Sequence, residues 1–278
     1  MDKINFGFIN IDKPIGPTSF SVSHFLKREL NLNKTSHLGT LDPNVTGVLP
    51  IALGRACKLS SFLMRHNKTY IGILETHKAN KIEDLQKIID KDFSGEITQT
   101  PPHKSAVKRA PRNRSVYKWE LLEALNDRDF LFIAEVEGGT YIRKLCSDLG
   151  ELVGGAHMAE LRRIQAGVFS ENSMHTLYEF QDALTKYKNG DNKFLNSMII
   201  PAEEIIKKVF PIIQVKPSCI NNMKTGKKMI LADLVDKKLF NSLKENDIFA
   251  IFCDEEFLEI AQKCKTRDYI ARSLFVYN

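Results

Sequence analysis

The chain has 278 residues, 43% of them hydrophobic and 27% charged, which is enough for a full core and two domains and excludes a disordered or fibrous class. No apolar run approaches membrane-spanning length and Met1-Asp2-Lys3-Ile4 has no signal-peptide pattern, so the chain reads as intracellular with no membrane role. The net charge of +6 permits a nucleic-acid partner, while five cysteines without C-x-x-C spacing and seven histidines without a paired motif argue for reduced thiols and against zinc.

Phe6 to Ile11 is an apolar run that predicts a strand, broken by the turn residues Asp12-Lys13-Pro14-Ile15-Gly16-Pro17-Thr18. Thr18 or Ser19 can cap the helix that follows, with Val22, Phe25, Leu26 and Leu30 on one face. Between that helix and the buried-strand pattern Val48-Leu49-Pro50-Ile51-Ala52-Leu53-Gly54 lies His37-Leu38-Gly39-Thr40-Leu41-Asp42-Pro43-Asn44-Val45-Thr46-Gly47. Its glycines, proline and small polar residues predict an irregular loop with one carboxylate, Asp42, at the centre. Pro43 restricts Asp42 to extended backbone. Such a carboxylate can act as a nucleophile or simply cap its own turn.

A helix is predicted over 55–64, then a strand over 68–77 with Tyr70 near its start, then a helix over 80–93 from the period of Ile82, Leu85, Ile88 and Ile89. From Ile97 to Trp119 there is no acidic residue, whereas Lys104, Lys108, Arg109, Arg112 and Arg114 crowd into a stretch broken by prolines. An extended basic loop beside Tyr117 and Trp119 suits an RNA phosphate backbone, the other reading being a solvated loop. Strands over 116–124 and 130–136 flank the hairpin turn Asn126-Asp127-Arg128-Asp129. Gly138-Gly139 lets the chain bend into Thr140-Tyr141-Ile142-Arg143 and a helix through Leu152. After Gly154-Gly155 a second helix is predicted with Met158, Leu161 and Ile164 inward, its Arg162 and Arg163 turned to RNA or solvent. Helices over 176–187 and 201–208 follow, and beyond Phe210 the texture changes to short strand-like runs at 212–215 and 248–252.

The motif His-x-Gly-Thr-Leu-Asp-Pro-x-x-Thr-Gly-x-Leu at 37–49 resembles the catalytic motif of the TruB family of pseudouridine synthases. Further matches follow in order: Asp12-Lys13-Pro14, Lys68-Thr69-Tyr70, Pro101-Pro102 with Ser105-Ala106-Val107-Lys108-Arg109, Gly139-Thr140-Tyr141-Ile142-Arg143, and Ala156 to Arg163. The segment 101–117 and the form of the last motif are most similar to the archaeal and eukaryotic branch that includes dyskerin, the catalytic subunit of H/ACA ribonucleoproteins. That resemblance implies a mixed α/β (α+β) fold. A catalytic domain over 1–208, with a central, largely antiparallel sheet, would precede a small β-barrel PUA domain over 211–278. It implies isomerisation of uridine to pseudouridine in RNA without a cofactor. Asp42 would be the nucleophile, Arg143 its partner, Tyr70 the stacking aromatic and Leu161 a wall of the base pocket. Lys13 would support the loop. His37 matches a histidine that occupies the space of the extruded base. The implied partners are rRNA or tRNA substrates, a box H/ACA guide RNA and small ribonucleoprotein subunits. The compartment would be the cytoplasm in an archaeon and the nucleolus in a eukaryote. The alternatives are a stand-alone enzyme acting on the tRNA T-loop and a non-catalytic RNA-binding subunit.

Overall fold

The computed structural model describes residues 3–101, 110–264 and 266–278. Contacts divide the chain into two compact units, Met1–Ile200 and Pro201–Asn278. In the first unit, strand β1 (Phe6–Lys13) leads through a turn into helix α1 (Ser19–Glu29). Strands β2 (Thr35–His37) and β3 (Thr46–Gly54) bracket the Asp42 loop, and a single helical turn, α2 (Ser60–Leu63), precedes β4 (Lys68–Thr76). Helix α3 (Ile82–Asp92), strands β5 (Gly95–Gln99), β6 (Arg112–Ala124) and β7 (Asp129–Val136), helix α4 (Ile142–Val153) and strand β8 (Ala156–Ala166) complete the frame of the site. Short β9 (Phe169–Ser170), helices α5 (Leu177–Lys188) and α6 (Lys193–Met198), and β10 (Ile199–Pro201) close it.

The strands form one sheet in the order β10-β1-β3-β8-β4-β7-β6-β5, with β2 beside β3 and β9 beside β8. From β1 to β5 along that order the pairings are antiparallel except the short β3–β8 contact, so the expected largely antiparallel sheet is present. β3 is buried from Gly47 to Gly54, whereas β4 buries alternate residues, placing Lys68, Tyr70, Gly72 and Leu74 on one face. Helix α4 packs on β8 and α3 on β6. Val22, Leu26, Leu85, Ile89, Leu145 and Leu149 join the sheet residues in one core.

The helix predicted after Gly155 is instead β8, which lies between β3 and β4. Its pairing with β4 shifts register twice, so Ala159 and Ile164 are extra residues without a partner in the ladder. These bulges erase the period-2 alternation and leave Met158, Leu161 and Ile164 at a spacing that mimics a helix.

The second unit contains helix α7 (Ala202–Val209), β11 (Ile212–Gln214), the short helices α8 (Ile220–Lys224) and α9 (Lys238–Ser242), β12 (Ile248–Cys253), β13 (Glu256–Lys263) and β14 (Ala271–Val276). The expected barrel takes the form of a separate four-stranded sheet, order β11-β12-β13-β14, extended by isolated bridges Val215–Leu234 and Met229–Ala271. Its core includes Ile213, Val215, Met223, Phe240, Phe249, Ile251 and Leu258.

Glu259 is buried in β13 opposite Ile251 and Val276, and its Oε2 has no hydrogen-bond partner among the described residues. Burial raises its carboxyl from 4.5 to about 7, with the Ser273 hydroxyl opposing the shift. Between those values the folded chain keeps a proton that the unfolded chain has lost. The stability contributed by this group is therefore fully present below 4.5 and is lost as pH rises through about 7. The loss is on the order of 3 kcal/mol. Thermal melts should show the second unit of the wild type weakening between about pH 5 and about pH 8, and Glu259→Gln removing that slope. Equal slopes for the two proteins would acquit the carboxyl.

Candidate active site

The Asp42 loop is held by backbone anchors from three buried side chains. Lys13 is fully buried, and its Nζ donates to the carbonyls of Pro14 (2.9 Å), Pro43 (3.1 Å) and Val45 (2.9 Å). Burial lowers its pKa, and the Asp42 charge acts in the opposite sense. Lys13 is thus a buried brace rather than a solvated turn lysine.

Ser19 holds the residue before Asp42: its hydroxyl donates to the Leu41 carbonyl (3.0 Å) and accepts from the Leu41 amide (2.8 Å). The helix cap falls to Thr18, which accepts from the Ser21 amide at 3.0 Å. One hydroxyl starts the helix and its neighbour is free to hold the loop.

Arg163 supplies the third anchor. It is 1% exposed, donates through Nε to the Val48 carbonyl (2.7 Å) and through Nη2 to the Gly39 carbonyl (3.0 Å). Its backbone crosses Gly47, whose φ is +99° and where a Cβ would lie 2.2 Å from the Arg163 carbonyl oxygen. Only glycine accepts both that conformation and that approach. The expectation that Arg163 faces RNA or solvent is therefore replaced by a structural role beneath the loop. Arg162 points the other way and pairs with Asp12 (2.9 Å) and Glu171 (2.7 Å).

Asp42 pairs with Arg143, Oδ2 lying 2.9 Å from Nε, and the two half-exposed side chains line one cavity of about 570 Å³. Tyr70 and Leu161 line the same cavity. They lie on adjacent strands, where Tyr70 is opposite Arg163 and Gly72 is opposite Leu161. A Cβ on Gly72 would meet Leu161 Cδ1 at 2.8 Å, so the glycine makes room for that wall. The cavity offers an aromatic ring, an aliphatic wall and one oriented carboxylate, a set suited to a planar base and a nucleophilic attack.

The structure brings Asp42, Tyr70, Arg143 and Leu161 together around this space. Lys13 and His37 are not among the residues that line it. His37 Nε2 lies 3.1 Å from Thr40 Oγ1, and burial, followed by the Arg163 charge, pulls its pKa down, favouring the neutral ring. Sequence reasoning missed Lys68, which lines the cavity from the Tyr70 face of β4. Its Nζ donates to the carbonyls of Met64 and His66, and burial with the Arg163 charge pushes its pKa down to about 8. The i, i+2 spacing of Lys68 and Tyr70 on a predicted strand was the signal that could have found it.

Of the basic stretch, Lys104, Lys108 and Arg109 lie outside the described residues. Arg112 pairs with Gln99 in the β5–β6 ladder. Arg114 is engaged internally, with Nη1 2.8 Å from the Asn113 carbonyl and 3.4 Å from Glu137 Oε1. A smaller cavity of about 370 Å³ is bordered by Glu29, whose carboxylate is already shared by Arg28 and Lys188. It has no oriented carboxylate free to react with a ligand.

Residues 27–142 match the TruB family pseudouridylate synthase N-terminal domain, and residues 143–207 match the tRNA pseudouridylate synthase B C-terminal domain. A probable tRNA pseudouridine synthase B from Archaeoglobus fulgidus is 43% identical over 253 residues, covering 90% of this chain and 76% of the relative. The chain belongs to the TruB family of pseudouridine synthases. It is therefore an RNA uridine isomerase by family. A Pyrococcus abyssi relative with the same name is 40% identical over 97% of this chain and 81% of its own length. Among solved structures, the match to a Cbf5-Nop10-Gar1 complex has a TM-score of 0.86 at 34% identity, covering 99% of this chain and 85% of that one. An H/ACA RNP bound to a substrate RNA containing 2′-deoxyuridine matches with the same TM-score at 32% identity, over 99% and 86%. Among the described residues, no helix is long and apolar enough to cross a membrane.

Proposed function

We propose that this TruB-family chain uses Asp42 to isomerise uridines presented by a box H/ACA guide RNA, with small protein subunits alongside. The observation that carries the reading is the Asp42–Arg143 pair opening on a cavity walled by Tyr70 and Leu161. Support for the guided form comes from the fit of nearly the whole chain to Cbf5 in its complexes. A second reading, direct action on tRNA, is favoured by the names of the archaeal relatives. The two are compatible in one enzyme.

Asp42 attacks either ribose C1′ or uracil C6. The N1–C1′ bond breaks and its electron pair leaves with the base. The uracil turns, C5 bonds to C1′, and the bond from Asp42 breaks, displaced from C1′ by C5 or eliminated from C6, which returns the carboxylate; the C5 proton is lost to a base or to solvent and N1 is reprotonated. Atoms are conserved, so the chemistry needs neither a redox partner nor a group donor. Arg143 orients the carboxylate. Tyr70 replaces the stacking that the extruded base gives up, and its phenol is placed to move a proton. Leu161 confines the ring. Lys13 keeps the loop in shape, and His37 stands at the loop where an extruded base would otherwise lie. The second unit serves as a PUA-type RNA-binding module. The cytoplasm is the compartment of such an enzyme in an archaeon, the nucleolus in a eukaryote.

Lys104, Lys108, Arg109 and Arg112 contact RNA phosphates in this reading, while Arg114, held by Glu137, contributes less. Neutralising Lys108 or Arg109 should weaken binding and lower the salt slope by about one unit each, and Arg114→Ala should lower it less. Binding titrations at several salt concentrations check this, and an unchanged slope after both replacements would leave the stretch as a solvated loop. The function itself is tested by carbodiimide labelling of RNA incubated with the chain, with and without guide and subunits. The expected result is an RNA mass unchanged before labelling and a stable carbodiimide adduct at one former uridine after it. RNA binding without any adduct would favour a non-catalytic subunit.

A further inference from the structure

We propose that Gln99 is a positioning residue that fixes the helix start from which Arg143 reaches Asp42. It rests on the catalytic reading above. Gln99 ends β5 and is 2% exposed. Its Nε2 donates to the Tyr141 carbonyl at 3.2 Å, and its Oε1 accepts from the Tyr141 amide at 3.0 Å. The side-chain amide thus treats Tyr141 as a neighbouring strand would, engaging donor and acceptor of one residue together.

Tyr141 is the N-cap of α4 and makes no side-chain capping bond. There is no acidic residue in the first turn. Arg143 is the second residue of the helix, so its cation sits at the positive end of the helix dipole, where charge of that sign is disfavoured. The approach through Gly138 and Gly139, the latter at φ +96°, adds little stiffness of its own. By itself the local sequence therefore favours fraying of the turn that carries the guanidinium. The Tyr141 carbonyl held by Gln99 also accepts from the amides of Lys144 (3.0 Å) and Leu145 (3.1 Å), so clamping Tyr141 clamps that turn. Arg143 is two residues further on.

The experiment uses the full chain with Gln99→Glu and Gln99→Met, read by single-turnover conversion at saturating RNA, RNA affinity and thermal midpoint. A protonated glutamic acid keeps both bonds, donating to the Tyr141 carbonyl and accepting from its amide. The ionised form can only accept, and it sets a negative charge against a carbonyl oxygen. Conversion by Gln99→Glu should therefore fall about tenfold or more relative to wild type at high pH and recover within about threefold on acidification. Gln99→Met should lose about tenfold at every pH with unchanged RNA affinity. A pH-dependent rate ratio with a melt that stays above the assay temperature is the signature of positioning.

Wild-type rates in both variants, or losses that track only the unfolded fraction, would overturn the role of Gln99. Conversion by wild type is read in the same assay. If it is absent, the catalytic reading fails first and this inference falls with it.

Discussion

Asp42→Asn should abolish isomerisation, by roughly 10⁴-fold or more, the scale seen when an enzyme loses its nucleophile. The amide has the shape of the carboxylate but is a very poor nucleophile. The loop should survive the change because none of its three anchors uses the Asp42 side chain. Lys13 holds the Pro43 and Val45 carbonyls, Ser19 holds Leu41, and Arg163 holds the Gly39 carbonyl. Arg143 can still donate to the Asn oxygen. RNA affinity and the thermal midpoint should therefore stay close to wild type while single-turnover conversion disappears. Residual turnover within about tenfold of wild type would remove Asp42 from the nucleophile's role.

The second large effect concerns presentation of the uridine. The isolated chain should modify an rRNA-type target poorly. A matched box H/ACA guide and the partner subunits should raise the rate by about 10²-fold or more, because holding a reactant over the carboxylate removes an entropic barrier. The guide pairs with the target and leaves one uridine unpaired, so the protein meets backbone and shape rather than sequence. Changing the guide's pairing arms should move the modified position accordingly. Rapid modification of tRNA by the chain alone, with no redirection by guide and subunits, would establish the stand-alone reading instead.

Some of this site was written openly in the chain. The Asp42 loop announced itself through Gly39, Pro43 and Gly47, because irregular backbone needs those residue types. β4 was legible because its alternation survives in full. The capping box of Thr176 and Glu179 likewise stands where the helix over 176–187 was expected to begin. β8 was not legible, since two register shifts against β4 scramble its period. Nor was the burial of Arg163, because an arginine beside another arginine reads as surface. Only the approach of β8 to β3 shows that its guanidinium runs beneath the loop toward Gly39 and Val48. Lys13, Ser19 and Gln99 act on backbone 22 to 42 residues away in sequence, through contacts that no local pattern encodes.

The most direct test follows the hydrogen on uracil C5. Isomerisation bonds C5 to the ribose and must expel that hydrogen, whereas binding or simple base flipping leaves it in place. A target RNA carrying tritium at C5 of its single presented uridine should release tritium to water mole for mole with carbodiimide-stable pseudouridine. Wild-type chain should do so, and Asp42→Asn should not. RNA bound tightly by wild type with tritium fully retained, or released equally by Asp42→Asn, would contradict the account.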